Sequence, residues 1–532
     1  MTVFIPTNTM HSDVFRDIEK FAKYQKIQYF FICIPLLMVS MIHVNYIFVA
    51  EDINHRCRVP ECDDSAAIAE MPHWWPQNVD SRCFRPVVDD SNFEKANQTC
   101  SSKIFSDAFV ECDEWIYESD NSIVSALNLG CQSWKSTLVG GVHNAGMIVS
   151  MMITGWVSDK IGRKPTVIMC SIGGAVGVFK IFIKDYYAYL GLEFLESMLA
   201  SGLYTVAVVL LIEVGGESTR VLAGVVFAYA VYAGEVLFAF IAMGLQYWKY
   251  LILVVYTPMY IFVFYGFVLR ESTRWQMLRG KMTEAKETLK VIAKTNKINI
   301  TDEEIMNIKD DELRARFNVS VQKEKETIKD IINSKETMVR LIVASFCYFS
   351  SSFLYYGMAI HSVLLPGNKY TNFILSSLTS FPGDLLTFYV FNKIGRKLSL
   401  QGGYVFSAIF LMAQAFTPDS IMWLKVLLFL IGKVGVVVCF TGIYTYSLEL
   451  FPTSVRGSLV GWGNTAARVG SMLAPLTPLL SAELSSLPSI LFASTAIIAA
   501  LLLTFTPETK HLPMFDTIAQ VENYKAKITT HL

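Results

Sequence analysis

Long apolar runs bounded by short polar stretches recur twelve times along the 532-residue chain. Each run has the roughly 20 residues that an α-helix needs to cross about 30 Å of hydrocarbon. Because a backbone inside a bilayer must satisfy its own hydrogen bonds, runs of this length predict helices. The predicted spans are 28–50, 135–157, 165–183, 187–212, 221–245, 249–269, 338–361, 371–391, 398–417, 421–447, 458–482 and 486–506. The pattern predicts an all-α membrane protein with twelve transmembrane helices.

Two long hydrophilic segments interrupt this series, and their charges differ. Residues 51–134 contain 6 Lys and Arg against 16 Asp and Glu, whereas residues 270–337 contain 15 against 13. Basic turns and flanks face the cytoplasm, so both termini are predicted to be cytoplasmic and 51–134 extracellular. The predicted organisation is an N-terminal tail at 1–27, a six-helix half at 28–269, a cytoplasmic linker at 270–337, a second half at 338–506 and a tail at 507–532.

The composition excludes several classes of function. The chain is 53% hydrophobic and 17% charged, against about 25% charged residues in soluble domains. A net charge of −1 gives no general attraction to nucleic acid. No nucleotide-binding loop or paired catalytic residues are recognisable, so neither an enzyme nor an ATP-driven pump is predicted. We expect no cofactor, and the expected partners are a small solute and the lipid bilayer.

Six of the ten cysteines fall in the predicted extracellular segment, where disulfides persist. They are Cys57, Cys62, Cys83, Cys100, Cys112 and Cys131. Their spacing lacks the paired units of a zinc site, which disfavours metal binding, but it leaves the disulfide pairing open. The same segment carries a glycosylation sequon at Asn97. The last three residues, Thr530–Leu532, fit a PDZ-ligand pattern that also arises by chance.

Three short motifs of the first half recur in the second half at nearly one offset. Asp159–Lys164 recurs as Asn392–Lys397, Glu213–Arg220 as Glu449–Arg456, and Glu271–Arg274 as Glu508–Lys510. Two six-helix halves related by a parallel repeat are the plan of a transporter that rocks around a central substrate. The motifs therefore predict such a transporter.

The repeated acidic, glycine and basic residues lie at predicted cytoplasmic helix ends. Ion pairs there can hold the halves together in one state and break in another. The alternative is that the basic residues only follow the positive-inside rule, which does not explain the ordered acids and glycines. The candidate gating residues are Asp159, Arg163, Glu213, Arg220, Glu271, Arg274, Arg396, Glu449 and Arg456.

These motifs and the borders of the cysteine-rich segment carry a family resemblance. The stretches are His55–Pro60, Cys112–Tyr117, Gly155–Lys164, Glu271–Trp275, Glu449–Thr453 and Pro507–Thr509. Together they resemble the organic ion transporter family (organic cation, organic anion and carnitine transporters) of the major facilitator superfamily. The helix-end motifs are shared across the superfamily, and the large cysteine-rich loop makes the resemblance specific. It implies a plasma-membrane secondary transporter of small organic ions that works by alternating access.

Two other interpretations of the resemblance remain open. Sugar porters share the helix-end motifs, but they bind neutral sugars with glutamines in helices 5 and 7, and neither predicted span here contains Gln. A transporter-like sensor without turnover is the second alternative, since Asn392 replaces the aspartate of the first motif copy.

Charged residues inside predicted spans are candidates for substrate contact, because each costs about 2.5–3.5 kcal/mol at a helix centre. In the resembled family, anion and carnitine transporters carry arginine at the position of Arg468, so the resemblance implies a transporter of this kind. A guanidinium binds carboxylates bidentately. Asp384 stands where anion transporters of the family carry lysine. Both charges facing one cavity would suit a zwitterion, or the two would pair with each other. The further candidates are Glu235, Lys433, Tyr348, Tyr355, Tyr356 and Tyr444.

A second group of polar residues lies in the first half. Glu193 and Glu196 are three residues apart and share a helix face, so proton coupling is conceivable. Pairing with Lys180 at a similar depth is the preferred interpretation. His43 and His143 are predicted to be hydrogen-bonded helix contacts rather than proton carriers.

Overall fold

The computed structural model describes residues 20–63, 69–76, 80–89, 100–216, 219–316, 328–418, 420–452, 454–481, 484, 486–510, 515 and 517–522. The predicted glycosylation site Asn97, the side chain of Arg220 and the C-terminal PDZ-ligand pattern lie outside the described parts.

Every predicted apolar run falls on a long helix of the structure. The helices are α1 Lys23–Val49, α2 Ser133–Ile161, α3 Arg163–Phe182, α4 Tyr186–Gly215, α5 Arg220–Gly244, α6 Trp248–Val268, α7 Lys335–Ser362, α8 Lys369–Lys393, α9 Arg396–Phe416, α10 Met422–Leu450, α11 Arg456–Leu473 and α12 Leu487–Phe505. Among the described residues, eleven are long and apolar enough to cross a membrane. The twelfth, α11, is extended by short helical turns at Ala474–Leu476 and Pro478–Ser481.

Several long helices are locally irregular, and the sequence explains where. The helix α6 changes to 3-10 geometry over Thr257–Phe264, and α11 does so at Ala474–Leu476, each with a proline in the first turn of the new segment. Proline lacks the N–H that a regular helix needs there. The helices α4 and α8 are interrupted at Ser201 and Thr379 respectively. Ser201 is itself buried, and Thr379 lies between the buried Ser377 and Ser380.

Glycines let α11 approach α7 closely. A Cβ atom on Gly463 would lie 2.5 Å from the Tyr348 ring, and one on Gly470 would lie 2.4 Å from the Phe349 carbonyl oxygen. Small residues at such contacts are the usual means of close helix packing in membranes. The contact fixes the position of Arg468, which lies on α11 between the two glycines.

The cysteine-rich segment between α1 and α2 forms two small antiparallel sheets. The strand β1 (His55–Cys57) pairs with β4 (Trp115–Tyr117), and β2 (Phe84–Val88) pairs with β3 (Phe105–Glu111). All six predicted cysteines are disulfide-bonded, in the pairs Cys57–Cys112, Cys62–Cys100 and Cys83–Cys131. We call the end of the helix bundle that carries this segment the loop end.

The segment between α6 and α7 carries short helices at the opposite end of the bundle. They are Thr273–Leu278, Met282–Asn296, Asp302–Asn307, Asp310–Arg316 and Ile328–Asn333. Their buried apolar side chains, including Leu289 and Ile305, pack with Tyr24 at the start of α1. We call this end of the bundle the linker end.

The two six-helix halves meet at the loop end. Lys369 at the start of α8 pairs with Glu51 just after α1. Next to this pair, the rings of Phe48 and Tyr370 stack with their centroids 5.6 Å apart. Gly140 of α2 also packs against Pro475 of α11. These contacts join the two halves at the loop end.

Candidate binding site between the two halves

A lysine and a glutamate face each other across the interface of the halves. The Lys433 Nζ of α10 donates to the Ser376 hydroxyl at 2.7 Å and lies 5.2 Å from the centroid of the Tyr355 ring. Glu235 of α5 is buried, with Lys433 as its principal opposite charge and Ser377 within reach. The two charges form no ion pair within 4 Å. They attract each other without direct contact.

Asp384 of α8 lies in the same interface and is also buried. It accepts a hydrogen bond of 2.5 Å from the Thr441 hydroxyl of α10 and lies within reach of the Tyr232 hydroxyl of α5. Of the two arrangements that the sequence left open, direct pairing with Arg468 is not the one present.

Arg468 of α11 is surrounded by aromatic side chains rather than acids. Its guanidinium lies close to the hydroxyls of Tyr356 of α7, Tyr444 of α10 and Tyr204 of α4, with His43 of α1 nearby. Within the described parts of the chain, no carboxylate forms an ion pair with it at 4 Å or less. A cation without a counterion in an apolar, tyrosine-lined interior is a strong site for an anionic group.

The four predicted tyrosines and Phe440 form one connected set of rings, in which Tyr356 and Tyr444 lie near Arg468 and Tyr355 lies near Lys433. The rings of Tyr348 and Tyr444 meet edge to face at 5.0 Å, and Tyr355 stacks on Phe440 at 4.5 Å. The hydroxyls of Tyr348 and Tyr355 are buried and form no close hydrogen bond among the described residues, although Ser447 and Ser380 respectively lie within reach. Buried polar groups are nearly always paired, so these hydroxyls are candidates for contacts with a ligand.

Four residues of this site were not predicted from the sequence: Tyr204, Tyr232, Phe440 and His43 as a neighbour of Arg468. The chain has 24 Tyr and 36 Phe, and hydropathy does not indicate which of them face the interior. The nearest available signal was helical spacing, since Phe440 lies four residues before Tyr444.

A buried polar network fills the interior of the first half. The Lys180 Nζ of α3 contacts Glu193 at 2.8 Å, Glu196 at 2.5 Å and the Tyr256 hydroxyl at 2.9 Å. The other oxygen of Glu193 bonds to His143 at 2.7 Å. The preferred pairing of Lys180 with Glu193 is present, and Glu196 shares the same lysine.

The repeated helix-end motifs form two equivalent clusters at the linker end. In the first, Glu271 accepts from the backbone N–H of Arg163 at 3.0 Å, and the Arg163 side chain pairs with Asp159 at 2.6 Å and Glu213 at 3.3 Å. The carboxylate also accepts from the Lys164 N–H, so it caps the positive N-terminus of α3. Arg274 is half-buried beside it.

The second cluster repeats this arrangement in the other half. Glu508 accepts from the backbone N–H groups of Arg396 at 2.8 Å and Lys397 at 3.0 Å, at the N-terminus of α9. The Arg396 side chain pairs with Glu449 at 3.0 Å. The Arg456 guanidinium donates to the Phe451 carbonyl at 3.2 Å. The ion pairs of both clusters lie within their own half in this conformation.

The two capping carboxylates differ in acidity. Burial raises the pKa of Glu271 above its usual range, although the backbone N–H groups favour the charged form. Burial also acts to raise the pKa of Glu508, but there the backbone N–H groups outweigh it, and the pKa lies below the usual range. The first cluster therefore accepts a proton at a higher pH than the second.

Substitution of Gly162 by alanine is expected to weaken the first cluster. Gly162 has φ +119°, and an added Cβ would lie 2.3 Å from the Glu271 carboxylate. Strain of this kind costs on the order of 1–3 kcal/mol, so the thermal midpoint of the purified protein in detergent should fall. Gly155→Ala is the matched control, because it lies on α2 with open space around it. Equal midpoints for the two variants would contradict a tightly held cluster.

Comparisons with known proteins agree with this architecture. The profile of the Major Facilitator Superfamily matches residues 125–475. The chain is 29% identical to the organic cation transporter protein of Drosophila melanogaster over 97% of this chain and 95% of that protein. It is 26% identical to solute carrier family 22 member 1 of Bos taurus (97% and 93%), and 25% to solute carrier family 22 member 6 of Oryctolagus cuniculus (96% and 94%). These relatives confirm the resemblance seen in the motifs.

Among solved structures, the chain is similar to the xylose transporter XylE from E. coli in a partially occluded inward open conformation. The TM-score is 0.61 at 14% sequence identity, covering 92% of this chain and 100% of that one. Similarity at this identity concerns the fold alone, and it confirms the predicted twelve-helix architecture.

Proposed function

We propose, because the chain belongs to the Major Facilitator Superfamily, that it is a secondary transporter of small organic ions working by alternating access. The relatives that cover nearly its whole length are named as organic cation transporters and solute carrier family 22 members. The observation that carries the proposal is Arg468, a cation without a carboxylate partner among the described residues, in a tyrosine-lined interior between the halves.

The preferred substrate carries a carboxylate or sulfonate. Arg468 binds such a group bidentately, whereas Asp384 and Glu235 are already opposed by Thr441 and Lys433. A zwitterion would place its cationic end against the aromatic faces of Tyr355 or Tyr356 and near Asp384. Anions and zwitterions are therefore favoured over simple cations.

The loop end and the linker end of the helix bundle have different roles in this proposal. The disulfide-bonded segment suits an oxidising exterior, so the loop end is extracellular and the linker end cytoplasmic. The contacts of Lys369 and Phe48 then close the extracellular side, with both termini in the cytoplasm of a plasma-membrane protein. The helix-end clusters around Arg163 and Arg396 act as gates by exchanging partners when the halves rock.

A sugar porter is the second candidate, because the similar solved structure is a xylose transporter. A neutral sugar cannot compensate the charge of an unpaired guanidinium. Placing that charge inside the membrane costs free energy, which an anionic group offsets. The charges of the interface therefore favour organic ions.

Uptake of four labelled compounds into cells expressing the protein tests the proposal. The probes are toluenesulfonate as a permanent anion, glycine betaine as a zwitterion and tetraethylammonium as a cation, with labelled xylose as the sugar. Saturable uptake of either of the first two above mock-transfected cells supports the proposed site. Uptake of tetraethylammonium alone would move the site to Asp384 and Glu235, uptake of xylose alone would favour the sugar porter, and no uptake would favour a sensor.

The pair at the loop end predicts a charge-reversal phenotype. Lys369→Glu replaces an attraction of about 0.2–1 kcal/mol by repulsion, so the closed loop end becomes less stable and transport slows by roughly 3-fold to 10-fold. Adding Glu51→Lys restores an opposite-charge pair and should recover most of the rate. A double variant as slow as the single one would contradict a role for this pair in closure.

A further inference from the structure

A chain of hydrogen bonds leads from the buried carboxylates of the first half to the surroundings of Arg468. The Glu193 carboxylate bonds to His143 Nδ1 at 2.7 Å, and His143 Nε2 bonds to His43 Nδ1 at 2.8 Å. The residues come from α4, α2 and α1, and all three are buried. We call these three residues the histidine relay.

The position of the protons along the relay follows from its partners. Glu193 also contacts the Lys180 ammonium at 2.8 Å, so its carboxylate is ionised and can only accept. His143 must then donate through Nδ1 and accept through Nε2, which makes His43 Nδ1 the next donor. His43 Nε2 is left with a basic lone pair, and this buried atom has no partner among the described residues.

That lone pair belongs to the binding site rather than to the interior of one half. The His43 ring packs against Tyr204 with centroids 4.9 Å apart. Tyr204 in turn neighbours Arg468, whose charge also acts on His43 directly. A group bound at Arg468 therefore lies beside the free end of the relay.

The charges around the relay do not balance. One ammonium, Lys180, serves two carboxylates, Glu193 and Glu196, so the interior carries a net charge of −1 whenever both carboxylates are ionised. The other titratable groups facing the network are phenols, namely Tyr46, Tyr189 and Tyr256 beside the carboxylates and Tyr204, Tyr356 and Tyr444 around Arg468. On the side of the site, Arg468 supplies the compensating positive charge, with Glu235 beyond Tyr204.

Binding of an anion changes this balance. A sulfonate or carboxylate on Arg468 neutralises the charge that opposes the network, and the interior then holds an uncompensated negative charge. In a medium of low dielectric constant such a charge favours uptake of a proton. Binding of the anion therefore raises the affinity for the proton, and binding of the proton raises the affinity for the anion by the same factor.

We propose that the histidine relay takes up one proton with each anionic substrate, so that the protein couples anion transport to the proton gradient. The proposal rests on the proposed function. A proton from water in the path adds to His43 Nε2, the proton on His43 Nδ1 passes to His143 Nε2, and the proton on His143 Nδ1 passes to Glu193. Both imidazoles stay neutral with exchanged tautomers, and the carboxyl becomes neutral. The same steps in reverse release the proton when the substrate leaves.

Proteoliposomes containing the purified full-length chain test the coupling with toluenesulfonate, which stays anionic over the whole range. With about pH 6 outside and about pH 7.5 inside, the wild type should take up the probe at least about fivefold faster than at equal pH. His43→Gln can donate to His143 but has no basic atom to accept the proton. It should lose the response to the gradient.

A buried histidine outside the relay provides the matched control. His361 of α7 bonds to Thr477 at 2.9 Å in the second half, and His361→Gln should keep the full response. His143→Gln interrupts the relay outside the binding site, so it should keep exchange of toluenesulfonate at equal pH within about threefold of the wild type and lose the response to the gradient. Exchange at equal pH shows that each variant is folded, so loss of the gradient response alone is specific to coupling.

The outcomes separate this inference from the function on which it rests. Toluenesulfonate exchange by the wild type without any response to the gradient overturns the coupling and leaves the transporter proposal standing. A full response in His43→Gln also overturns it. If the wild type transports none of the probes, the proposed function fails, and transport of tetraethylammonium alone overturns both the anion preference and the coupling.

Discussion

Replacement of Arg468 by glutamine is expected to reduce uptake of toluenesulfonate and glycine betaine at least about 100-fold, which corresponds to about 2.7 kcal/mol of lost binding in the transport cycle. Glutamine keeps hydrogen-bond donors but removes the charge and the planar fork. The measurement is initial uptake, normalised to protein at the cell surface.

The surroundings of Arg468 also predict what this variant leaves intact. No carboxylate within the described chain forms an ion pair with the guanidinium at 4 Å or less, so its removal strands no buried acid. Loss of a charge that leaves no acidic partner behind costs the fold little. The amount of protein in the membrane should stay within about twofold of the wild type. Loss of the protein from the membrane would instead make Arg468 a structural residue.

Arg468→Lys separates charge from geometry. Lysine keeps the positive charge but cannot bind a carboxylate or sulfonate through two parallel N–H donors. We expect uptake between those of the wild type and the glutamine variant, about tenfold below the wild type. Equal activity of the lysine and glutamine variants would show that the fork, rather than the charge, determines binding.

The fold could be predicted from the sequence because a bilayer imposes a simple length rule. Every apolar run of about 20 residues became a helix, since hydrocarbon offers the backbone no other partner. The repeat also predicted which residues would have equivalent roles. Glu271 and Glu508 cap the helices that begin at Arg163 and Arg396, in the same way.

The binding site was less predictable, because hydropathy does not report the rotation of a helix about its axis. Arg468 and Asp384 were both identified from the sequence as intramembrane charges. Only the structure shows that Asp384 accepts a hydrogen bond from Thr441 instead of pairing with Arg468. The contact of His43 with His143 joins residues 100 positions apart, and nothing in their local sequence indicates it. The disulfide pairing could not be chosen from spacing either, since six cysteines allow 15 arrangements.

The buried network around Lys180 and the binding site around Arg468 are joined by a series of side chains in contact. Between Glu193, which pairs with Lys180, and Arg468 lie two imidazoles and several phenols, none of which carries a permanent charge. Two fixed cations therefore lie at the two ends of this series of side chains, in which the hydrogen bonds extend from Lys180 to His43. Changing either charge should alter the other site, which makes Lys180 a direct test of the charge balance.

Replacement of Lys180 by methionine is expected to remove most of the protein from the cell surface. Lys180 is fully buried, and its loss leaves Glu193 and Glu196, which are 1% and 0% exposed, without a cation. Removing one partner of a buried ion pair costs about 3–5 kcal/mol. The measurement is surface abundance, together with the thermal midpoint of the purified variant.

A rescue variant distinguishes the charge from the packing of Lys180. Adding Glu193→Gln and Glu196→Gln to Lys180→Met removes both stranded charges while keeping the shapes of the side chains, so surface abundance should recover to within about twofold. Lys249→Met, at the start of α6 where the lysine lies over the Trp248 ring, should leave abundance unchanged. If Lys180→Met alone accumulates like the wild type, the two carboxylates need no cation. The net negative charge that drives proton uptake by the histidine relay is then absent.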